Sequence, residues 1–178
     1  MPTNYFYAHR ETLSQALAAL RDRDYWTPYS ERASGSIYGE TAAEDGEAAF
    51  KAYLGKAFDL PGHPGDGVIA SDETSPYGIA MDLSYPALDT DTALAAAKAG
   101  MKAWRDAGPD MRTGVCLEIL HRINQRSFEM AHAVMHTTGQ AFMMAFQAGG
   151  PHAQDRGLEA ITQAYALQSA IPEQVRWE

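Results

Sequence analysis

From Asp89 onward, apolar residues recur at spacings of three and four, interrupted mostly at breaks built on glycine or proline. Such a half-chain is confined to consecutive helices, because a 3.6-residue period is what keeps those side chains on one face. Asp89 or Thr90 supplies a cap for a helix whose stripe is Leu94, Ala97, Met101 and Trp104. Gly108-Pro109 ends it and starts the next, since glycine accepts a left-handed cap and proline fixes a first turn. That helix runs to about residue 126, with Val115, Ile119 and Ile123 on one face and Leu120 beside them. Ser127 then caps a helix carrying Met130, Val134 and Met135, which stops at Thr138-Gly139. A short helix over 140–148 gathers Phe142, Met143 and Phe146. Gly149-Gly150-Pro151 breaks it, and Leu158, Ile161 and Tyr165 mark a last helix ending before Pro172.

The first half reads differently. A helix over 11–23 carries Leu13, Leu17 and Leu20, and it cannot pass Pro28, which drives Thr27 out of the helical region. A second, over 42–56, buries Phe50, Tyr53 and Leu54, although Gly46 and Gly55 lower its helix propensity. Gly62-His63-Pro64-Gly65-Asp66-Gly67 is turn material. Beyond it, Val68-Ile69-Ala70 and Gly78-Ile79-Ala80-Met81-Asp82-Leu83 flank the polar Ser71-Asp72-Glu73-Thr74-Ser75-Pro76-Tyr77, the pattern of a β-hairpin. The expected fold class is therefore mainly α with one short β-hairpin (α+β). It divides into a helical extension at 1–66, the hairpin region at 67–88 and a helical region at 89–178. Two strands are marginal alone, so the hairpin edge at Gly78, Ile79, Met81 and Leu83 is expected to meet another chain or a further domain. The helical faces around Met101, Trp104, Phe142 and Phe146 are expected to bury against something as well.

The 178 residues hold 14 Lys+Arg against 23 Asp+Glu, a formal net charge of −9. Nucleic-acid phosphates and anionic membrane surfaces both call for clustered cations, so neither is an expected partner. No apolar run reaches the roughly 18–20 residues of a spanning helix, and the N-terminus lacks a basic start followed by an apolar stretch. A cytoplasmic location is the expectation. The single cysteine, Cys116, excludes both an intramolecular disulfide and a cysteine cage for zinc.

Glu129, His132 and His136 fall three and four apart, so their side chains share a helical face, as the ligands of a metal site do. A third and fourth ligand would come from His121 or His152, which no spacing places nearby, and two histidines packed near an interface are the preferred reading. Cys116 lies in the apolar run Gly114-Val115-Cys116-Leu117, which marks a packed thiol rather than a nucleophile. The methionines at 101, 111, 130, 135, 143 and 144 are adaptable packing residues of a core or a subunit interface.

Ser75-Pro76-Tyr77-Gly78-Ile79-Ala80 leads to Ala93-Leu94-Ala95-Ala96-Ala97-Lys98-Ala99-Gly100-Met101-Lys102-Ala103-Trp104-Arg105. This resembles the N-terminal region of the aldehyde dehydrogenase superfamily, where a hairpin precedes an alanine-rich helix ending in Ala-Trp. Thr137-Thr138-Gly139-Gln140 is similar to that superfamily's Glu-Thr-Gly-Lys, with Thr137 in place of the acid and Gln140 in place of the base. The run from His136 to Gly157, together with Tyr5-Phe6-Tyr7-Ala8-His9-Arg10 and Trp26-Thr27-Pro28-Tyr29-Ser30, resembles the PaaN-type aldehyde-dehydrogenase-like family of bacterial phenylacetic acid degradation. The resemblance implies an oxidoreductase of aromatic catabolism, and NAD(P) as the cofactor of a full-length member. In that superfamily the catalytic cysteine, the general-base glutamate, the Gly-x-x-x-x-Gly cofactor turn and the ribose-binding lysine all lie downstream. None has a counterpart here, and Arg176-Trp177-Glu178 is where a family member would enter its first cofactor-domain strands.

The expectation is thus a segment that gives packing and subunit contacts to such an enzyme, with no catalytic or cofactor-binding residue of its own. Its partner is the remainder of the enzyme or a second copy in a homo-oligomer. Two rivals stand beside it: a stand-alone helical oligomerisation or interaction module, and a small helical metal-binding protein using Glu129, His132 and His136.

Overall fold

A computed structural model describes residues 4–65 and 67–171; residue 66 and the C-terminal run 172–178 lie outside the described residues. In chain order the elements are α1 (Tyr5–Ala8), α2 (Arg10–Asp22), α3 (Gly35–Tyr38), α4 (Ala42–Lys51), β1 (Gly67–Ala70), β2 (Ser84–Ala87), α5 (Thr90–Asp106), α6 (Gly108–Gln125), α7 (Ser127–Thr138), α8 (Phe142–Gly149) and α9 (Pro151–Ala170). The described residues are mainly helical, with one two-stranded antiparallel sheet.

The helix boundaries follow local chemistry. Asp89 accepts the Thr92 backbone N–H at 2.9 Å and starts α5. Gly108, at φ 76°, turns the chain directly into α6, and Gly139, at φ 78°, closes α7 in the left-handed conformation. Ser127 is the first residue of α7 rather than its cap, and its hydroxyl donates to the Asn124 carbonyl at 2.7 Å. α4 stops at Lys51, short of the expected 56. The chain leaves the helix because Gly55, at φ 69°, turns it so that the Gly55 N–H donates to the Met81 carbonyl at 2.9 Å.

Two apolar clusters hold the helices together. Leu13, Ala16, Tyr29, Leu117, Leu120 and Leu158 join α2, α6 and α9, with Phe6, Leu17, Trp26, Ile161 and Tyr165 around them. Phe128, Ala131 and Phe146 join α7 to α8, flanked by Ala33, Tyr38, Ala42 and Phe142. The buried face of α6 is not the expected Val115–Ile119–Ile123 stripe, for Ile119 is 51% exposed. It is instead Thr113, Gly114, Leu117 and Leu120. The reason is steric: α1 crosses so close to Gly114 that a Cβ there would sit 2.3 Å from the Phe6 nitrogen. A small residue thus fixes which side of α6 faces inward.

The second strand also falls later than the apolar pattern indicates. β1 pairs in the register Gly67–Ala87, Val68–Pro86, Ile69–Tyr85 and Ala70–Ser84, so residues 78–83 are not a strand. Gly78 at φ 79° and Asp82 at φ 46° break the extended backbone there. Met81 and Leu83 turn inward instead and are buried.

Gly46, which lowers the propensity of α4, is required by packing. A Cβ at this position would lie 2.3 Å from the Phe128 Cβ and 2.8 Å from the Glu129 nitrogen, where α4 crosses α7. Gly100 on α5 has nothing within 4 Å. Gly46→Ala should therefore destabilise the protein by about 1–3 kcal/mol through overpacking, while Gly100→Ala should stabilise α5 by about 0.5–1 kcal/mol. Denaturant midpoints of the two variants check both signs.

Candidate functional site

The side chains expected to ligate a metal are in three different situations. His132 and His136 are stacked, with ring centroids 6.4 Å apart and planes inclined by 16°. Phe50 of α4 lies flat on His136 at 4.9 Å and 5° and on His132 at 6.1 Å, while Phe142 tilts against His132 at 5.1 Å. Glu129 turns away from both. Its carboxylate accepts from the Arg126 guanidinium at 2.5 and 2.8 Å, and the same guanidinium donates to the Tyr53 hydroxyl at 2.8 Å. That charge pair holds the Glu129 carboxyl below the usual carboxylate range. Among the described residues no three His, Cys, Asp or Glu side chains converge as metal ligands.

The histidine stack instead anchors the loop between the strands. Ser75 and His136 are both buried, and the Ser75 Oγ lies 2.8 Å from the His136 Nδ1. The same Oγ accepts the Tyr77 backbone N–H at 3.2 Å. With that contact made, the Ser75 hydroxyl proton is free to donate to a neutral His136, which then carries its own proton on Nε2. Tyr77 sets its ring edge-on to His136 at 5.7 Å and donates its hydroxyl to the carbonyls of Gly139 and Gln140. The loop is thus latched to the C-terminal end of α7. Sequence spacing found the His132–His136 pair but not Ser75 or Phe50, whose distances in sequence leave no periodic signal.

Burial pushes both imidazoles below the ordinary histidine range, with Glu47 opposing and Lys51 reinforcing the shift. Because the folded state disfavours their protonation, their contribution is complete above the unfolded value near pH 6.5 and is lost as pH falls below it. The unfolding midpoint should drop between pH 7.5 and 5, and His132→Gln should flatten that slope. Ser75→Ala removes the hydroxyl partner of a buried nitrogen and should cost about 1–3 kcal/mol at neutral pH. Urea titrations across the range check both outcomes.

The residues expected at an interface separate into two sets. Phe146, Met81 and Leu83 are buried within the chain, and Phe142 packs half-buried on Phe128. Their apolar surface is used internally because α7 and α8 close on each other and Met81 and Leu83 turn inward. Ile79 is half-buried and Gly78 is exposed. The α5 stripe is open: Leu94 is 50%, Met101 66% and Trp104 47% exposed, and α5 buries no residue at all. Among the described residues its main neighbour is α6, at a corner where Arg112 donates to the Trp104 and Arg105 carbonyls.

A dinucleotide cofactor does not fit the strand-to-helix turn that this chain offers. A pyrophosphate needs close-approach glycines and free N–H groups at the helix start. β2 enters α5 through Leu88 and Asp89, and the Asp89 carboxylate already occupies the Thr92 N–H. Cys116 is half-buried on α6.

No protein-family model matches the chain, and no curated protein matches it. Among solved structures it is similar to that of an NAD-dependent aldehyde dehydrogenase from Burkholderia multivorans, with a TM-score of 0.92 and 51% sequence identity. The match covers 99% of this chain and 32% of that one. The fold of this chain is therefore that of a segment of an aldehyde dehydrogenase, spanning about a third of the enzyme it matches.

Proposed function

We propose that this chain is the N-terminal segment of a cytoplasmic, NAD(P)-dependent aldehyde-dehydrogenase-like oxidoreductase of the PaaN type. It contributes scaffold and subunit contacts and is not catalytically sufficient alone. The extension at 1–66, the hairpin region at 67–88 and the helices at 89–178 are its parts. The observation that carries this reading is the bare stripe of α5. A 17-residue helix that buries no side chain is marginal in water, and its Leu94, Met101 and Trp104 face is built to be covered. The similarity to an enzyme about three times as long supports a cover within the same polypeptide.

Oxidising an aldehyde with NAD would require a thiolate nucleophile, donors for an oxyanion and a site for the dinucleotide. The thiolate, the oxyanion donors and the dinucleotide site belong to the remainder of the enzyme in this reading. Cys116, half-buried on the middle of a helix, takes no part in it.

The protein purified from its source should reduce NAD in the presence of an aldehyde, while the isolated 178-residue chain should show neither turnover nor saturable NAD binding. Replacing Leu94, Met101 and Trp104 together by glutamine should leave the unfolding midpoint of the isolated chain within about 0.5 kcal/mol per site, as for exposed positions. The same triple change should lower the thermal midpoint of the native protein. Turnover by the isolated chain, or indifference of the native protein to the triple change, overturns the reading.

A further inference from the structure

We infer that the outer edge of β1 receives a further β-strand, supplied by the larger remainder of the same polypeptide; this rests on the reading just given. The phase of the ribbon is fixed by its end. The Ser71 N–H donates to the Leu83 carbonyl at 2.9 Å, so in the antiparallel register the paired positions Ile69–Tyr85 and Gly67–Ala87 exchange the ladder bonds. The N–H and C=O of Val68 and Ala70 therefore point away from β2. Pro86 agrees with this phase, because it stands opposite Val68, where β2 needs no donor towards β1.

The far edge of β2 is closed. The Ser84 N–H donates to the Lys56 carbonyl at 3.3 Å, and the Phe58 N–H donates to the Ser84 carbonyl at 2.8 Å. Among the described residues no hydrogen bond reaches the outer edge of β1, and shortness is its one protection. Gly67-Val68-Ile69-Ala70 has no charge and no proline, and Val68 and Ile69 are 69% and 57% exposed on opposite faces. A strand laid along it would pair the outward groups and cover both side chains.

The occupant follows from the size of the edge and from its place in the chain. Two outward residues offer one donor and one acceptor each, too few to offset the translational and rotational freedom that a separate partner loses. A strand on the same chain costs only loop closure. The ribbon also runs through exposed Leu88 straight into α5, so the open edge of β1 and the bare stripe of α5 belong to neighbouring parts of the chain. The similar enzyme has about two thirds of its length beyond the matched part, enough to cover both.

Amide exchange at single-residue resolution on the native protein, with the 178-residue chain alongside, tests this. Val68 and Ala70 should exchange quickly in the 178-residue chain and at least about 100-fold more slowly in the native protein, while Ser71 is protected in both. Val68→Pro in the native protein should abolish the slowing at Ala70 and leave Ser71 protected, since the lost N–H faces outward. If α5 gains protection in the native protein but Val68 and Ala70 do not, the strand inference fails and the proposed function stands. If neither gains protection, both fail. Protection of Val68 and Ala70 that rises with concentration in the 178-residue chain identifies a second copy as the occupant and overturns the inference.

Discussion

Two helix crossings made over glycine set the distances on which the rest of the structure depends. At Gly46 the backbone of α4 lies against Phe128, and at Gly114 the backbone of α6 lies against Phe6. Neither site has room for a Cβ. The first crossing brings Phe50 flat onto His136, and so creates the stack to which Ser75 is bonded. The second chooses the inward face of α6 and places Leu117 and Leu120 against α2 and α9. Close packing converts each small residue into a positional constraint, because a core near crystal density has no slack to absorb a methyl group.

The packing that those crossings organise stops at the ribbon and α5. The helices α1, α2, α6 and α9, and separately α4, α7 and α8, bury their apolar faces on one another. Between β1 and the end of α5, Met81 and Leu83 are buried, but the α5 stripe and Val68 and Ile69 of β1 stay exposed. In a chain with net charge −9 and ordinary apolar content, such a patch has the character of an internal surface of something larger. The similar dehydrogenase has about two thirds of its length outside the part that this chain matches.

Much of this was legible in residue order. The helix from Asp89 to Trp104, the Gly108-Pro109 and Gly149-Gly150-Pro151 breaks and the stop at Gly139 follow from caps and backbone freedom, which are local properties. The strand at 84–87 was not legible, because Ser84-Tyr85-Pro86-Ala87 has weak strand propensity and is set by its partners at 56–58 and 67–70. The buried face of α6 was misread for a similar reason: volume at a crossing outweighed hydrophobicity, and Gly114 displaced Ile119. Spacing put Glu129 with His132 and His136, but the Arg126 guanidinium, one turn back, claimed the carboxylate. Ser75 and Phe50 reach the histidines across 61 and 86 residues, a distance no periodicity reports.

The intact mass of the protein purified from its native source decides whether this chain is one part of a larger dehydrogenase. A mass well above 19.4 kDa is expected, with these 178 residues contained in a longer polypeptide. A native product of 19.4 kDa, with α5 and the β1 edge left bare in solution, would contradict it.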